Sequence, residues 1–357
     1  MLTHAARHVA TVGLLAAAAA LAAPAGHAQI AHTPLDVPDA TATYAFGLSN
    51  AGHVVGRADD AAGTHHGFLY SGGTYTWLTV PGATLTEAYG VNAAGQVAGN
   101  YRDAAGAFHG FLYADGAFTV FDVPGQANTL ARNINDLGQV VGWYGAANGG
   151  HSFLYAGGAF TLLPDVPGAP NTAVGGINNL GEMAGNYGPP DFPAHSRGYL
   201  YRDGAFTFLD FPGAASTFAP KLNVLGQLVG RWVDAAGVNH GYFYEGGVYR
   251  SYDVGSLGTS GFGVNDAGQV AGWYQDAAGF HGYLSTVAAV TAPEPATLVL
   301  TAAGLCGLAL AARRRARRTV ERDPGSPRIS PDRATRPRVP VGYRPASRPA
   351  ESVERRA

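Results

Sequence analysis

The stretch Gly90–Gly125 reads GVNAAGQVAGNYRDAAGAFHGFLYADGAFTVFDVPG, and its reading decides the fold. A run ending at Asn92 is followed by GQVAGNY, HGFLY and AFTVFDV, each short and rich in aromatic and aliphatic residues. Between them stand turn formers: a Gly at 95, the Asp103–Gly106 DAAG loop and the pair Asp115-Gly116, which suits a type I′ hairpin. Pro124-Gly125 stops the last run. The alternation has period two, and no helical period competes with it. The passage therefore reads as four antiparallel strands.

It also recurs. GLSNAGHVVGRADDAAGTHHGFLYSGGTYTWLTVPG begins at Gly47, and NINDLGQVVGWYGAANGGHSFLYAGGAFTLLPDVPG begins at Asn133. Ser49, Asn92, Asn135, Asn178, Asn223 and Asn265 mark one slot in six copies, spaced by 43, 43, 43, 45 and 42 residues. Four strands per unit of this length are the signature of a propeller blade, which needs neighbours to bury its faces. The sixth copy has no fourth strand, whereas HTPLDVPDA, His32–Ala40, precedes the first copy and matches TVFDVPGQ. The expected architecture is all-β: a six-bladed β-propeller over residues 29–290, of four-stranded antiparallel blades, closed by the N-terminal strand. Pairing the two ends in one blade also removes exposed sheet edges.

Composition agrees. Gly reaches 51 residues and aromatics 11%, while charged residues are only 13%. Residues 29–292 carry 19 acidic and 8 basic side chains, and residues 313–357 carry 5 and 14. The acidic repeats lack the basic footprint that nucleic acid requires, so no nucleic-acid partner is expected. The single cysteine, Cys306, permits no intrachain disulfide and no cysteine-based metal site.

Both ends carry membrane signals. Residues 1–28 have Arg7, an apolar stretch from Val9 to Ala23, and small residues Gly26 and Ala28 at a cleavage site. This predicts a signal peptide cut after Ala28. The stretch Ala292–Arg318, APEPATLVLTAAGLCGLALAARRRARR, sets Pro293-Glu294-Pro295 before an uncharged run, 296–312, of spanning length. Arg313, Arg314, Arg315, Arg317 and Arg318 follow it and hold that end in the cytoplasm, leaving the repeats outside. Residues 319–357 are rich in Pro, Arg and Ser and read as a disordered basic tail.

The order Pro-Glu-Pro, apolar helix, arginine cluster over residues 291–318 resembles the PEP-CTERM sorting signal of Gram-negative bacteria. That resemblance implies processing by an exosortase-type membrane protease, transient anchoring in the inner membrane, and a destination at the cell surface or outside, in organisms that produce exopolysaccharide. The 39 residues after Arg318 depart from the family, whose chains end soon after the arginines. The repeats from His32 to Ser285, with HGFLY or HSFLY in the third strand, resemble the HAF-type extracellular repeat, which implies location and no assigned reaction.

Candidate chemistry is sparse. His66, His109, His151, His240 and His281 share one slot, with Arg197 in the fourth copy. Propeller symmetry spreads such residues on a wide circle, beyond the reach of one metal, so they are expected to hydrogen-bond neighbouring strands or loops. The DAAG aspartates lack calcium-loop spacing, and neither a phosphate loop nor a nucleophile elbow occurs. No catalytic residue, metal or cofactor is expected. Three charged residues break the symmetry of the inner strands: Glu87, Arg132 and Lys221, the last being the chain's one lysine. Gly47, Gly90, Asn133, Gly176 and Gly263 fill its slot elsewhere. These three are the candidates for binding at the channel mouth.

The expected function is a non-catalytic surface or matrix protein that binds polysaccharide or other exported proteins. A carbohydrate-active hydrolase is the alternative, and it would need a carboxylate pair such as Glu87 and Glu182. Trp77, Trp143, Trp232 and Trp273 are read as packing residues first and sugar-stacking residues second.

Overall fold

The computed structural model describes residues 28–146, 149–191 and 195–286. Every regular element among them is a strand. Six first strands, Ala42–Leu48, Leu85–Val91, Asn128–Ile134, Asn171–Ile177, Ser216–Leu222 and Gly258–Val264, open six repeats. In each, the second and third strands follow by antiparallel hairpins. The fourth strand is Thr74–Leu78, Ala117–Phe121, Ala159–Leu162, Ala205–Leu209 or Val248–Asp253 in repeats one to five. The tight pairs take the expected turn: Asp115 and Gly116 have φ of 52° and 81°, and Asp203 and Gly204 of 52° and 78°.

The sixth repeat is completed from the N-terminus. Thr33–Pro34 pairs antiparallel with Gly279–Thr286, Thr33 opposite Leu284 and Pro34 opposite Tyr283. The Leu35 amide donates to the Gly282 carbonyl at 2.9 Å. Leu35 and Val37 then bury themselves with Ala45, Val54 and Phe68 of repeat one and Ala271 of repeat six. Each of those two side chains is worth roughly 1.5–3 kcal/mol in that position. One pairing was not legible in the sequence: Ala28–Gln29 lies parallel on Val248–Asp253, and Ile30 enters the core between repeats five and six.

The sheets form a β-propeller arrangement, but not six separate ones. Four are free-standing blades: repeats three and four with four strands each, repeat five with Ala28–Gln29 added, and repeat six with Thr33–Pro34. Repeats one and two share a single eight-stranded sheet. The expectation of six separate blades is corrected here to four plus one double sheet. The physical cause is one parallel bridge, His65 to Leu85, where the third strand of repeat one meets the first strand of repeat two.

Each hydrophobic cluster spans a junction between repeats. Ala98, Phe121 and Val123 of repeat two pack on Ala131, Ile134, Val140 and Phe153 of repeat three. The glycine of GQVVGW shows how tightly a blade is built. A Cβ on Gly142 would lie 2.1 Å from the Leu130 carbonyl oxygen and 2.7 Å from the Phe153 ring.

The recurring Asn slot stitches the repeats together. Asn135 Nδ2 donates to the Asn178 carbonyl at 3.1 Å, Asn178 to Asn223, Asn223 to Asn265, and Asn265 to Ser49. Asn92 donates to the Asn135 carbonyl in the same way. Five of the six junctions are thus bonded, including the one from the last repeat back to the first. Ser49 is too short to complete the sixth.

The signal-peptide residues before Ala28, the Pro293-Glu294-Pro295 motif, the span 296–312, the arginines 313–318 and the tail 319–357 lie outside the described residues. No helix among the described residues is long and apolar enough to cross a membrane.

Candidate functional site

Each first strand carries a β-bulge, for example between Ala131 and Asn133. A bulge re-aims one side chain, here Phe46, Tyr89, Arg132, Gly175, Pro220 and Phe262 in the six repeats. The large ones cluster. The rings of Phe46 and Tyr89 stack at 4.8 Å, Phe262 meets Phe46 at 5.2 Å, and the Arg132 guanidinium lies 4.0 Å from the Tyr89 centroid. Repeats four and five contribute only Gly175 and Pro220, so a void opens on their side. Gly175 cannot fill it, because a Cβ there would stand 2.9 Å from the Pro220 carbonyl oxygen.

The void is a cavity of about 340 Å³. Tyr89, Trp143, Phe218 and Phe262 give it aromatic walls, and Ala173 and Gly175 leave it open. Its polar lining is Arg132, Lys221, Arg231, Asn186 and Ser260. Two guanidinium groups and the Lys221 amine therefore face one space whose lining contains no carboxylate.

Lys221 is 5% exposed, and its Nζ donates to the Arg132 carbonyl at 2.6 Å. Lys221 also lines a smaller cavity of about 60 Å³, among residues of the Asn slot. Burial, and then the neighbouring Arg132 charge, push the Lys221 ammonium well below its ordinary range. Arg231 keeps part of its surface exposed, but its Nε is enclosed without a partner. Its guanidinium covers the Phe218 ring at 3.9 Å, and desolvation lowers it to about 10. Enclosure likewise raises Tyr89 to about 12, against the opposing pull of Arg132.

Of the three residues picked from sequence, the structure brings Arg132 and Lys221 together in this cavity. Glu87 stands one step away. It pairs with Arg57 at 3.3 Å and accepts hydrogen bonds from the Tyr89 hydroxyl at 3.1 Å and Asn100 Nδ2 at 3.2 Å. Glu182, its would-be partner, is engaged by Arg202 and Asn178, so the two acids share no partner. Arg231 was not singled out from sequence. Arg57 occupies the same slot in repeat one, which makes an arginine there look ordinary.

The histidine slot resolves into clamps. His109 Nδ1 meets Asp122 at 2.9 Å and Nε2 meets Asp103 at 3.3 Å. His281 bridges Asp36 and Asp276, at 3.0 and 3.3 Å, and His240 bridges Asp253 and Asp234. His66 contacts Asp60, His151 contacts Asp165, and Arg197 contacts Asp210. Each DAAG aspartate also accepts loop amides, as Asp60 does from Ala62 and Thr64. The four tryptophans divide: Trp232 is buried on Phe211 at 4.4 Å, Trp273 packs on Phe280, Trp77 is exposed beside His66, and Trp143 lines the cavity.

No family model matches the chain, and no curated protein matches it. Solved structures do. A triple arginine-to-alanine mutant of AofleA from Arthrobotrys oligospora is similar at 13% identity over 72% of this chain and 87% of that one, with a TM-score of 0.48. A fucose-specific lectin from Aleuria aurantia is similar at 12% over 73% and 100%, TM-score 0.44. TolB from Acinetobacter baumannii is similar at 11% over 66% and 64%, TM-score 0.47. None of them carries a ligand or an activity over to this chain.

Proposed function

We propose that this chain is an exported, non-catalytic binding module whose ligand sits in the channel cavity between Arg132, Lys221 and Arg231. The observation that carries the reading is the imbalance of that cavity. Burying a charge costs several kcal/mol unless something answers it. Two guanidinium groups and the Lys221 amine around one space with no acid in its lining are groups waiting for an external partner, and the aromatic walls suit a ring. A repeat built for packing alone would place apolar side chains there, as repeats one and six do with Phe46 and Phe262.

The eight-stranded sheet is read as two blades joined by one bridge, so that six repeats surround a single channel. The five Asn bonds, which run from Asn92 round to Ser49, support that count.

Delivery follows from the ends of the sequence. A signal peptide cut after Ala28 leaves Gln29 opposite Asp253 and Ile30 in the core, so the ring keeps its N-terminal contacts. An exosortase-type protease acting at Pro293-Glu294-Pro295 then releases the repeats to the cell surface. Exopolysaccharide is the proposed ligand source. Intact mass of the surface form checks the sorting: a species still ending beyond Arg318 would defeat it.

Binding is checked by Trp143 fluorescence against exopolysaccharide fractions from the producing strain. Ala173→Trp fills the cavity and is expected to abolish the signal. Binding that persists in Ala173→Trp would overturn the assignment of the cavity.

A further inference from the structure

The repeats supply their own control. Arg57 in repeat one and Arg231 in repeat five hold the same register, opposite Tyr44 and Phe218 of their first strands. Arg57 is answered by two carboxylates. Asp59, two residues along the strand, lies 3.1 Å from its Nε, and Glu87 of the next repeat lies 3.3 Å from its Nη1. The residues in those two places beside Arg231 are Val233 and Ser260. Ser260 pairs with Trp273 as Glu87 pairs with Asn100, which fixes the equivalence.

Both acids are therefore missing. The Nε atoms of both arginines are enclosed without a hydrogen bond, but Arg57 has its two carboxylates close by, whereas Arg231 makes no ion pair among the described residues and Ser260 Oγ is buried without a partner. Both side chains line the cavity.

We propose that the place Glu87 fills for Arg57 is, beside Arg231 and Ser260, a seat for the carboxylate of a small ring compound of the uronic-acid type. This rests on the binding-module reading above and gives it a ligand class. The internal counterpart is a carboxylate, and a guanidinium fork matches a planar carboxylate with two parallel hydrogen bonds. The Phe262 ring lines the same cavity and gives a sugar ring a face to lie on, the Phe218 face being covered by Arg231. A volume of about 340 Å³ is at the small end of ligand pockets and holds one or two rings.

The ring acid has two sources, a free uronate or the terminal residue of an acidic glycan. Calorimetric titration of the full chain with D-glucuronate, a glucuronate-ended oligosaccharide, glucose, cellobiose and inorganic phosphate separates them. Glucuronate is expected to bind at least about tenfold tighter than glucose. Arg231→Met is expected to lose at least tenfold. Val233→Asp restores the acid that Arg57 has and is expected to lose as much. Val233→Asp keeps the arginine in place, so it guards against an Arg231→Met chain that does not fold.

A tighter oligosaccharide assigns the seat to a chain end, and equal affinities assign it to the free acid; either result supports the proposal. Glucose or phosphate binding as tightly as glucuronate overturns it, as does unchanged affinity in both variants. Cellobiose binding that Ala173→Trp abolishes would overturn the carboxylate seat and leave the binding module standing. Failure of every ligand, exopolysaccharide included, would overturn both.

Discussion

Asn135 joins a turn to a neighbouring repeat, and the two roles can be separated by mutation. Its Nδ2 donates to Gln139 Oε1 at 2.8 Å and to the Asn178 carbonyl at 3.1 Å. Its Oδ1 accepts the amides of Gln139 at 3.0 Å and Leu137 at 3.1 Å. Ser49 shows what a shorter residue keeps: its Oγ accepts the His53 amide at 3.1 Å. Asn135→Ser therefore loses both donated bonds and retains an acceptor for the turn. The Asn178 carbonyl still receives the Gly181 amide, so nothing buried is orphaned. At roughly 1 kcal/mol per bond the cost is about 1–2 kcal/mol. Asn135→Ala also strands the two turn amides and adds about 1–3 kcal/mol. Urea unfolding midpoints at unchanged slope measure both. The reverse change, Ser49→Asn, completes the sixth junction by donating to the Asn92 carbonyl and is expected to gain about 0.5–1.5 kcal/mol. If Asn135→Ser and Asn135→Ala cost the same, the division into turn and junction is wrong. If Ser49→Asn destabilises, the circular bonding is not what holds the repeats.

Three further outcomes are expected. Gly142→Ala drives a Cβ into the Leu130 carbonyl and the Phe153 ring, and should lower the unfolding midpoint by at least the ~1–3 kcal/mol of an overpacked core; a neutral result would mean the strands separate freely. Burial opposes the charge on His281, but its bonds to Asp36 and Asp276 outweigh that and raise its pKa. Stability from this clamp is complete below the unperturbed value near 6.5 and is lost as pH rises through the raised one. The midpoint should therefore be higher at pH 6 than at pH 8, and His281→Gln, followed by proteolysis of the N-terminal strand, should remove that contribution. Lys221, lowered by burial, should take up a proton when an anion enters the cavity. Titrations in buffers of different ionisation enthalpy should report that uptake in the native chain and not in Lys221→Met, and equal proton counts would rule the lysine out of binding.

The repeat, the strands and the closing segment were legible because each rests on local chemistry. Asp115-Gly116 dictates its turn, and the missing fourth strand after Ser285 matches the spare one at Thr33–Pro34. The fusion of repeats one and two was not legible. It depends on one backbone bridge from His65 to Leu85, where the next two junctions instead have the Asn128 and Asn171 side chains accepting the amides of Phe108 and Gly150. Arg132 and Lys221 were visible as breaks in a symmetric pattern. Arg231 was hidden for the opposite reason, since it repeats Arg57. What distinguishes it is the absence of acids at 233 and 260, and that becomes readable only when the register assigns those positions as its neighbours.

The two kinds of inner position explain where chemistry can collect. At Gly90 a Cβ would stand 2.6 Å from the Asn133 Cα of the next repeat, so repeat two is held to glycine there, whereas the same slot takes Asn133 in repeat three and Lys221 in repeat five. The bulged neighbours, Phe46, Tyr89, Arg132, Gly175, Pro220 and Phe262, make none of the Asn-slot bonds and differ in size and charge from repeat to repeat. Exchanging one of them alters the cavity without breaking a junction. The ring is thus held by residues that must match and lined by residues that need not. A cavity opens where the second group stops filling its own space, and repeats four and five are where that happens.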